Sequence, residues 1–402
     1  MSTLFAHGQD VDAAHDVHDA ALAAGRAPVL TELPGLAPAW VIIGDEQARA
    51  ALVDPRLGKD SVLVTGTIRE QATAAGYPTP DGLSRMFNGL LFLDGEEHSE
   101  ARRALIGAFT ARRVRELQPR IEDLTASLLD IVQQQDDPVV DLVEHVAGLL
   151  PLTVICELLG IPDEWRARFR DLTLTLMQDD PAVNLSASDE LGSFLAELVA
   201  NKRADADRGH QGTDLTSALL DLDTERLIDT LVLLFVAGHE TTVNLIGNTM
   251  LALLRHPPLW REVAVRPELA AAAVEETLRW DSPVRTATHR VTLEPVVYGG
   301  VEIPAGELVM VSLEAANRDP DRWQDPTRFD LERHPRGHLA FGLGPHVCLG
   351  SALGRAEAET VVRQVTARFP DASLAVPVVR LRRTVSSIMN GLVALPVSLR
   401  VV

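Results

Sequence analysis

The chain has 402 residues, 46% of them hydrophobic, which is enough for a large core and more than one small domain needs. Two cysteines, Cys156 and Cys348, exclude a disulfide scaffold and a zinc site built from several thiols, and they suit a reducing compartment. With 37 basic against 57 acidic residues the formal charge is −20, which argues against nucleic acid as a partner of the whole chain.

The first twenty residues lack a basic stretch followed by an apolar one, so no secretory signal is read and a cytoplasmic location is expected. Short strand-like pieces such as Trp40–Ile43 then mix with helical stretches such as Glu46–Val53. From about Glu97 to Trp280 the spacing of apolar residues predicts helices. Breaks at Gln133–Pro138, Asp179–Pro181 and Asp205–Thr213 are short enough to be connections, not linkers. Leu227–His256 predicts a helix of about 45 Å, halted by Pro257-Pro258. It contains Asp229, His239, Glu240, Asn244 and Asn248, a polar load that favours a buried helix over a membrane span. Arg290–Leu313 is β-rich, with turns at Gly299-Gly300 and Pro304–Gly306. An irregular stretch over Asn317–Gly337, a helix over Leu349–Phe369 and a strand-like tail from Ser373 complete the chain. The expected fold class is mainly α with a small β portion, in one interwoven domain over residues 1–402, because strand signals lie near both ends.

The run Phe341-Gly342-Leu343-Gly344-Pro345-His346-Val347-Cys348-Leu349-Gly350 is the most informative. Its glycines let the backbone turn tightly and approach something flat and bulky. Good helix formers follow Gly350, so Cys348 sits at a helix amino terminus, whose N–H groups stabilise a thiolate. Such a thiolate suits a single axial ligand of haem iron. Cys156, inside an apolar run, reads as a core residue. In the long helix, Ala237-Gly238-His239-Glu240-Thr241-Thr242 places a small residue and a hydroxyl, Ala237 and Thr241, on one face beside a carboxylate able to relay protons.

The cysteine run resembles the ligand loop of the cytochromes P-450, haem-thiolate monooxygenases with the pattern Phe-Gly-x-Gly-x-His-x-Cys-x-Gly. The helical segment is similar to that family's Ala-Gly-x-Glu/Asp-Thr. The likeness extends from Trp40 to the last strands and is closest to soluble bacterial members. It implies the cytochrome P-450 fold, with haem b (heme b, iron protoporphyrin IX) between the long helix and the cysteine helix. It further implies Cys348 as iron ligand, with Phe341 and Ala237 against the cofactor, Thr241 ordering oxygen and water, and Glu240 delivering protons. Glu276 and Arg279, three apart on one helix, resemble the family's ExxR pair. Arg328 in the irregular stretch stands where the third, structural member is expected. His98, Arg102, Arg290 and His346 match its partners of the haem propionates, Arg285 being a competitor for the place of Arg290. Gly354 departs from the family's usual alanine.

By this resemblance the chain takes electrons from a ferredoxin and its reductase and inserts one atom of dioxygen into a hydrophobic small molecule of secondary metabolism. A peroxide-driven peroxygenase and a non-catalytic haem sensor are the rivals. An acidic donor meeting an acidic chain requires a local basic face, for which Arg103, Arg112, Arg113 and Arg355 are candidates. By family analogy, substrate contacts draw on the Leu63–Leu93 loop, Leu172–Leu191, the long helix, Val284–Thr288 and Ser387–Leu392. Met86, Phe87, Leu91, Val236 and Met389 are the named candidates for the lining.

Overall fold

The computed structural model describes residues 4–5, 11–33, 36–75, 88–176, 181–210 and 212–399. At its centre lies the helix Thr224–Leu254. Asp223 caps it by accepting the Arg226 N–H at 2.9 Å. Pro257 and Pro258 occupy the first positions of the next helix, Pro257–Val265, so the pair that stops one helix starts another. The long helix is apolar enough to cross a membrane, but protein covers most of it. It packs against the helices Leu149–Leu159, Pro181–Asp207, Leu269–Trp280 and Ser351–Arg368. Every residue from Asn244 to Leu254 is buried.

A five-stranded sheet runs in the order Val29–Leu33, Leu36–Ile42, Leu308–Ser312, Thr286–Thr292, Leu57–Gly58. Its one parallel pairing sets Trp40 opposite Val309 and so joins the start of the chain to its last quarter. Leu308–Ser312 is buried along its whole length, as its unbroken apolar run requires of a central strand. Opposite it, Thr286–Thr292 shifts register between Ala287 and Arg290, which changes the way the intervening side chains are aimed. Gly299 and Gly300 turn the hairpin Val296–Tyr298/Val301–Ile303 with φ of 53° and 78°, values at home in a tight two-residue turn.

Two expectations change. Much of the expected Leu63–Leu93 loop is helix, Ser61–Ala75. The tail is strand only at Ser373–Leu374 and Pro396–Ser398, which join Val139–Asp141 in a small sheet. Between them, side chains take backbone groups that a sheet would have used. Ser386 Oγ accepts from the N–H of Ile388 and Met389, and Asp141 accepts from Leu395.

The helix Leu269–Trp280 carries Glu276 and Arg279, both fully buried and joined by two hydrogen bonds of 2.7 and 2.9 Å. Arg279 also donates to the carbonyls of Asn317, Pro326 and Arg328, fastening the irregular stretch beneath the helix. The third member is Arg333, not Arg328. Arg333 reaches Glu276 at 3.0 Å and is 11% exposed, whereas the side chain of Arg328 is 70% exposed and meets only Asp330, at 3.9 Å. Only the backbone carbonyl of Arg328 takes part, accepting from both Arg279 and Arg333. The stretch turns back on itself through Asp325, at φ 46°, so nearness in sequence does not fix which arginine points inward. R333A should therefore lose about 3 kcal/mol of unfolding free energy in chemical denaturation, while R328A stays within about 0.5 kcal/mol of wild type. The reverse order would return the role to Arg328.

Candidate active site

Cys348 lies between a turn and a helix. Gly342 and Gly344 adopt φ of 74° and 78°, and a Cβ on Gly344 would stand 2.7 Å from Val53, so only glycine fits there. The Cys348 N–H donates to the Phe341 carbonyl at 2.9 Å, closing the loop. No side chain caps the helix Ser351–Arg368, and the N–H groups of Gly350 and Ser351 turn to the Cys348 sulfur instead. Burial pushes the thiol pKa up, against the pull of those N–H groups and of Arg102 and Arg355. Cys348 is nevertheless accessible, so it opens onto an internal space. A metal ion placed there would take the thiol's proton site. Cys156, by contrast, is buried in the main core and its thiol is pushed up to about 12 by burial, which makes it inert.

On the long helix the residues around Leu231–Phe235 are buried, yet Ala237 is exposed and Glu240 and Thr241 are half-buried. One turn of a covered helix thus faces open space within the protein. Thr241 donates its hydroxyl hydrogen to the Ala237 carbonyl at 2.8 Å, so it presents lone pairs outward. Burial raises the Glu240 pKa to about 7. The cysteine helix approaches here: a Cβ on Gly354 would meet Thr242 Oγ1 at 3.5 Å, ordinary contact that would also admit the family's alanine.

The third part is a cluster of cations and imidazoles. His98, Arg290 and His346 come together, the rings of His98 and His346 being 4.1 Å apart. Arg102 lies near enough to act on both His98 and Cys348. Arg290 joins this group, while Arg285 lies beside Glu314 and His18 in a separate buried network. Sequence reasoning missed two members, Lys59 and His289, both buried. A lysine immediately after a two-residue strand carries no motif; Phe92 and Thr288 lie against it. Burial holds His346 and His289 at about 4 and lowers His98. Asp94 is the acid nearest Lys59 and His346, and Asp54, held by Arg56 and Tyr298, acts on Arg290 from further out; burial opposes the charge of Asp94, but nearby His346 and the N–H groups of Lys59 and Asp60 keep it at about 2. His98 Nε2, Arg290 Nε and both His289 nitrogens are buried without partners. A thiol at one face and unpaired buried donors at one end suit haem with its two carboxylates.

Val236, Leu91 and Met389 are half-buried. Met389 pairs with Val284, which brings the two expected segments Val284–Thr288 and Ser387–Leu392 together. Leu91 and Ile388 share a cluster, and a Cβ on Gly89 would stand 2.8 Å from Leu233, pressing this segment on the long helix one turn before Ala237. Met86 and Phe87 lie outside the described residues.

These parts define a haem-thiolate protein. The description Cytochrome P450 matches residues 266–371. Cytochrome P450 107B1 of Saccharopolyspora erythraea is 43% identical over 89% of this chain and 89% of its own length. Cytochrome P450 monooxygenase PikC of Streptomyces venezuelae is 40% identical over 90% of this chain and 85% of its own. The tirandamycin C-bound P450 monooxygenase TamI superposes with a TM-score of 0.87 at 34% identity, over 96% of this chain and 97% of that one. The chain belongs to the cytochrome P450 family and is a haem-dependent monooxygenase with that family's fold.

A carboxyl with its pKa near 7 holds a proton below that pH and has lost it above. Product formed per dioxygen consumed should therefore fall as pH rises through about 7 in wild type, and should be low and flat with pH in E240Q. An E240Q profile that follows the wild type would remove Glu240 from proton delivery.

Proposed function

We propose that the chain hydroxylates or epoxidises a hydrophobic natural product in bacterial secondary metabolism, in the cytoplasm, with electrons from a ferredoxin and its reductase. The observation that carries the reading is an accessible, glycine-cradled Cys348 together with a turn in the middle of the long helix at which Ala237, Glu240 and Thr241 are left uncovered. When bound, thiolate-ligated haem activates dioxygen so that one atom can enter a C–H or C=C bond. Cys348 would hold the iron, Phe341 closes the loop behind it, and His98, Arg102, Arg290 and His346 would hold the carboxylates. Thr241 offers an acceptor that orders water or dioxygen beside it, and Glu240 holds the proton that the reaction consumes. A free, half-buried carboxyl next to that hydroxyl favours dioxygen over peroxide as oxidant and catalysis over sensing.

An apolar lining from Val236, Leu91 and Met389 fits a hydrophobic substrate, and TamI holds tirandamycin C in the same fold. Two free cysteines suit a reducing compartment. The reduced, carbon-monoxide-bound enzyme should give the red-shifted Soret band of thiolate ligation, and C348A should lose it. A wild type without that band, or a C348A that keeps it, overturns the reading.

For the donor, the arginines at the end of the helix Gly95–Leu105 and the start of the helix Ala111–Gln133 supply the candidate docking cations, while Glu96, Glu97 and Glu100 are exposed earlier on the first. Arg103 and Arg115 are exposed with no acid partner among the described residues, and Arg112 and Arg113 share the single acid Glu116. Arg355 is committed elsewhere, bonded to Glu275 and lying 4.4 Å above the Phe341 ring. R103E combined with R112E should slow reduction by an acidic ferredoxin about tenfold at low salt, with the difference shrinking as salt rises. Unchanged rates would remove this face.

A further inference from the structure

Lys59 follows the two-residue strand Leu57–Gly58 and is 2% exposed. A buried ammonium costs several kcal/mol unless an anion meets it. Among the described residues Lys59 Nζ has one hydrogen-bond partner, the neutral hydroxyl Thr288 Oγ1 at 2.7 Å, and it lies 5.7 Å from the centre of the Phe92 ring. An ammonium has three hydrogens to donate, so two remain. The nearest acid, Asp94, spends one oxygen on the backbone N–H of Lys59 and Asp60 and faces His346 with the other, 3.9 Å away. The other ionisable groups that act on Lys59 or that Lys59 acts on, Arg290, His289, His98 and His346, are bases; Asp54 acts on Arg290 but is already bonded to Arg56 and Tyr298. Burial and the adjacent Arg290 press the amine well below its ordinary pKa. The protein alone therefore gathers more positive charge here than it neutralises, and the register shift between Ala287 and Arg290 lies in the same strand segment as Thr288, His289 and Arg290.

We propose that Lys59 is a carboxylate-binding residue of the haem site, donating to one propionate of the cofactor with Thr288 fixing the amine's direction. This rests on the haem-thiolate reading and adds to it a ligand contact outside the family's histidine and arginine set. The interaction would be a charge-assisted hydrogen bond in a dry setting, where its loss is felt most.

The test uses the holoenzyme and two readouts that do not need turnover. Haem release to an excess of apomyoglobin should be about tenfold faster in K59M than in wild type. The propionate-bending line of the resonance Raman spectrum should shift in the same variant. K59R, which keeps a cation at the position, should return both toward wild type. If K59M does not accumulate as folded holoprotein, K59Q replaces it with the same expectations. Unchanged release overturns the proposal, and so does faster release with an unmoved propionate line, which marks a packing role. A normal thiolate Soret band in K59M alongside either result keeps that failure separate from a failure of the Cys348 reading.

Discussion

The arrangement of the site depends on one fully buried ion pair. Glu276 and Arg279 have no access to solvent, so their charges must be satisfied by protein alone. Arg279 does this by collecting three carbonyls from the irregular stretch after Asn317, and Glu276 by taking Arg333 and the Asp330 N–H. Trp280 adds a bond to the Thr327 carbonyl. A segment with little regular structure is thereby pinned at many points to one helix. Asn317, tied to Arg279 through its carbonyl, accepts the Leu339 N–H through its side chain, and Leu339 leads directly into the cysteine loop. The position of Cys348 is thus inherited from a charge pair that takes no part in chemistry.

A second constraint is the balance of charge at the far end of the pocket. The chain as a whole is acidic, with a formal charge of −20, yet here it buries Lys59 and Arg290 among imidazoles, with Asp94 beside them and Asp54, already bonded to Arg56, acting on Arg290. Folding alone does not favour this, since each desolvated cation without a partner is a cost. The contrast with the network around Arg285 is instructive. There Asp281 faces Arg383, Glu314 faces Arg285, and Asp19 faces Arg318, so three acids answer three arginines. In that network too, buried atoms of Glu314, His18 and Arg285 have no hydrogen-bond partner among the described residues, so what sets the Lys59 cluster apart is its excess of basic over acidic groups.

How much of this could be read from the sequence follows from how local each signal is. The cysteine loop and the Ala237–Thr242 turn are dense runs whose chemistry depends on neighbours in the chain, so their residues were legible one by one. The long helix was placed to within three residues, its end from the Pro257-Pro258 stop and its start from the onset of the apolar run, three residues after the Asp223-capped beginning. Arg333 was missed because an irregular stretch has no period from which to infer direction. Lys59 and His289 were missed because their surroundings come from segments far apart, Phe92 and Thr288 for one and the sheet for the other. The tail looked like strand because it is apolar, but between its two short strands it pairs only through isolated bridges, and Ser386 and Asp141 take several of its N–H groups.

The two constraints meet at the open turn of the long helix. Tight packing of Asn244–Leu254 on all sides leaves the helix no freedom to shift along its axis. Gly89 lies close against Leu233 on one flank, and Gly354 lies beside Thr242 on the flank of the cysteine helix. With the helix held at both flanks, the Thr241 hydroxyl can give its hydrogen to Ala237 without the helix unwinding, since that carbonyl simply accepts a second donor. Had Thr241 been placed one residue later, at the buried position of Thr242, the same bond would point its oxygen into the packing against the cysteine helix. Register along a single helix therefore decides which of two adjacent threonines is left uncovered and which one is packed into the fold.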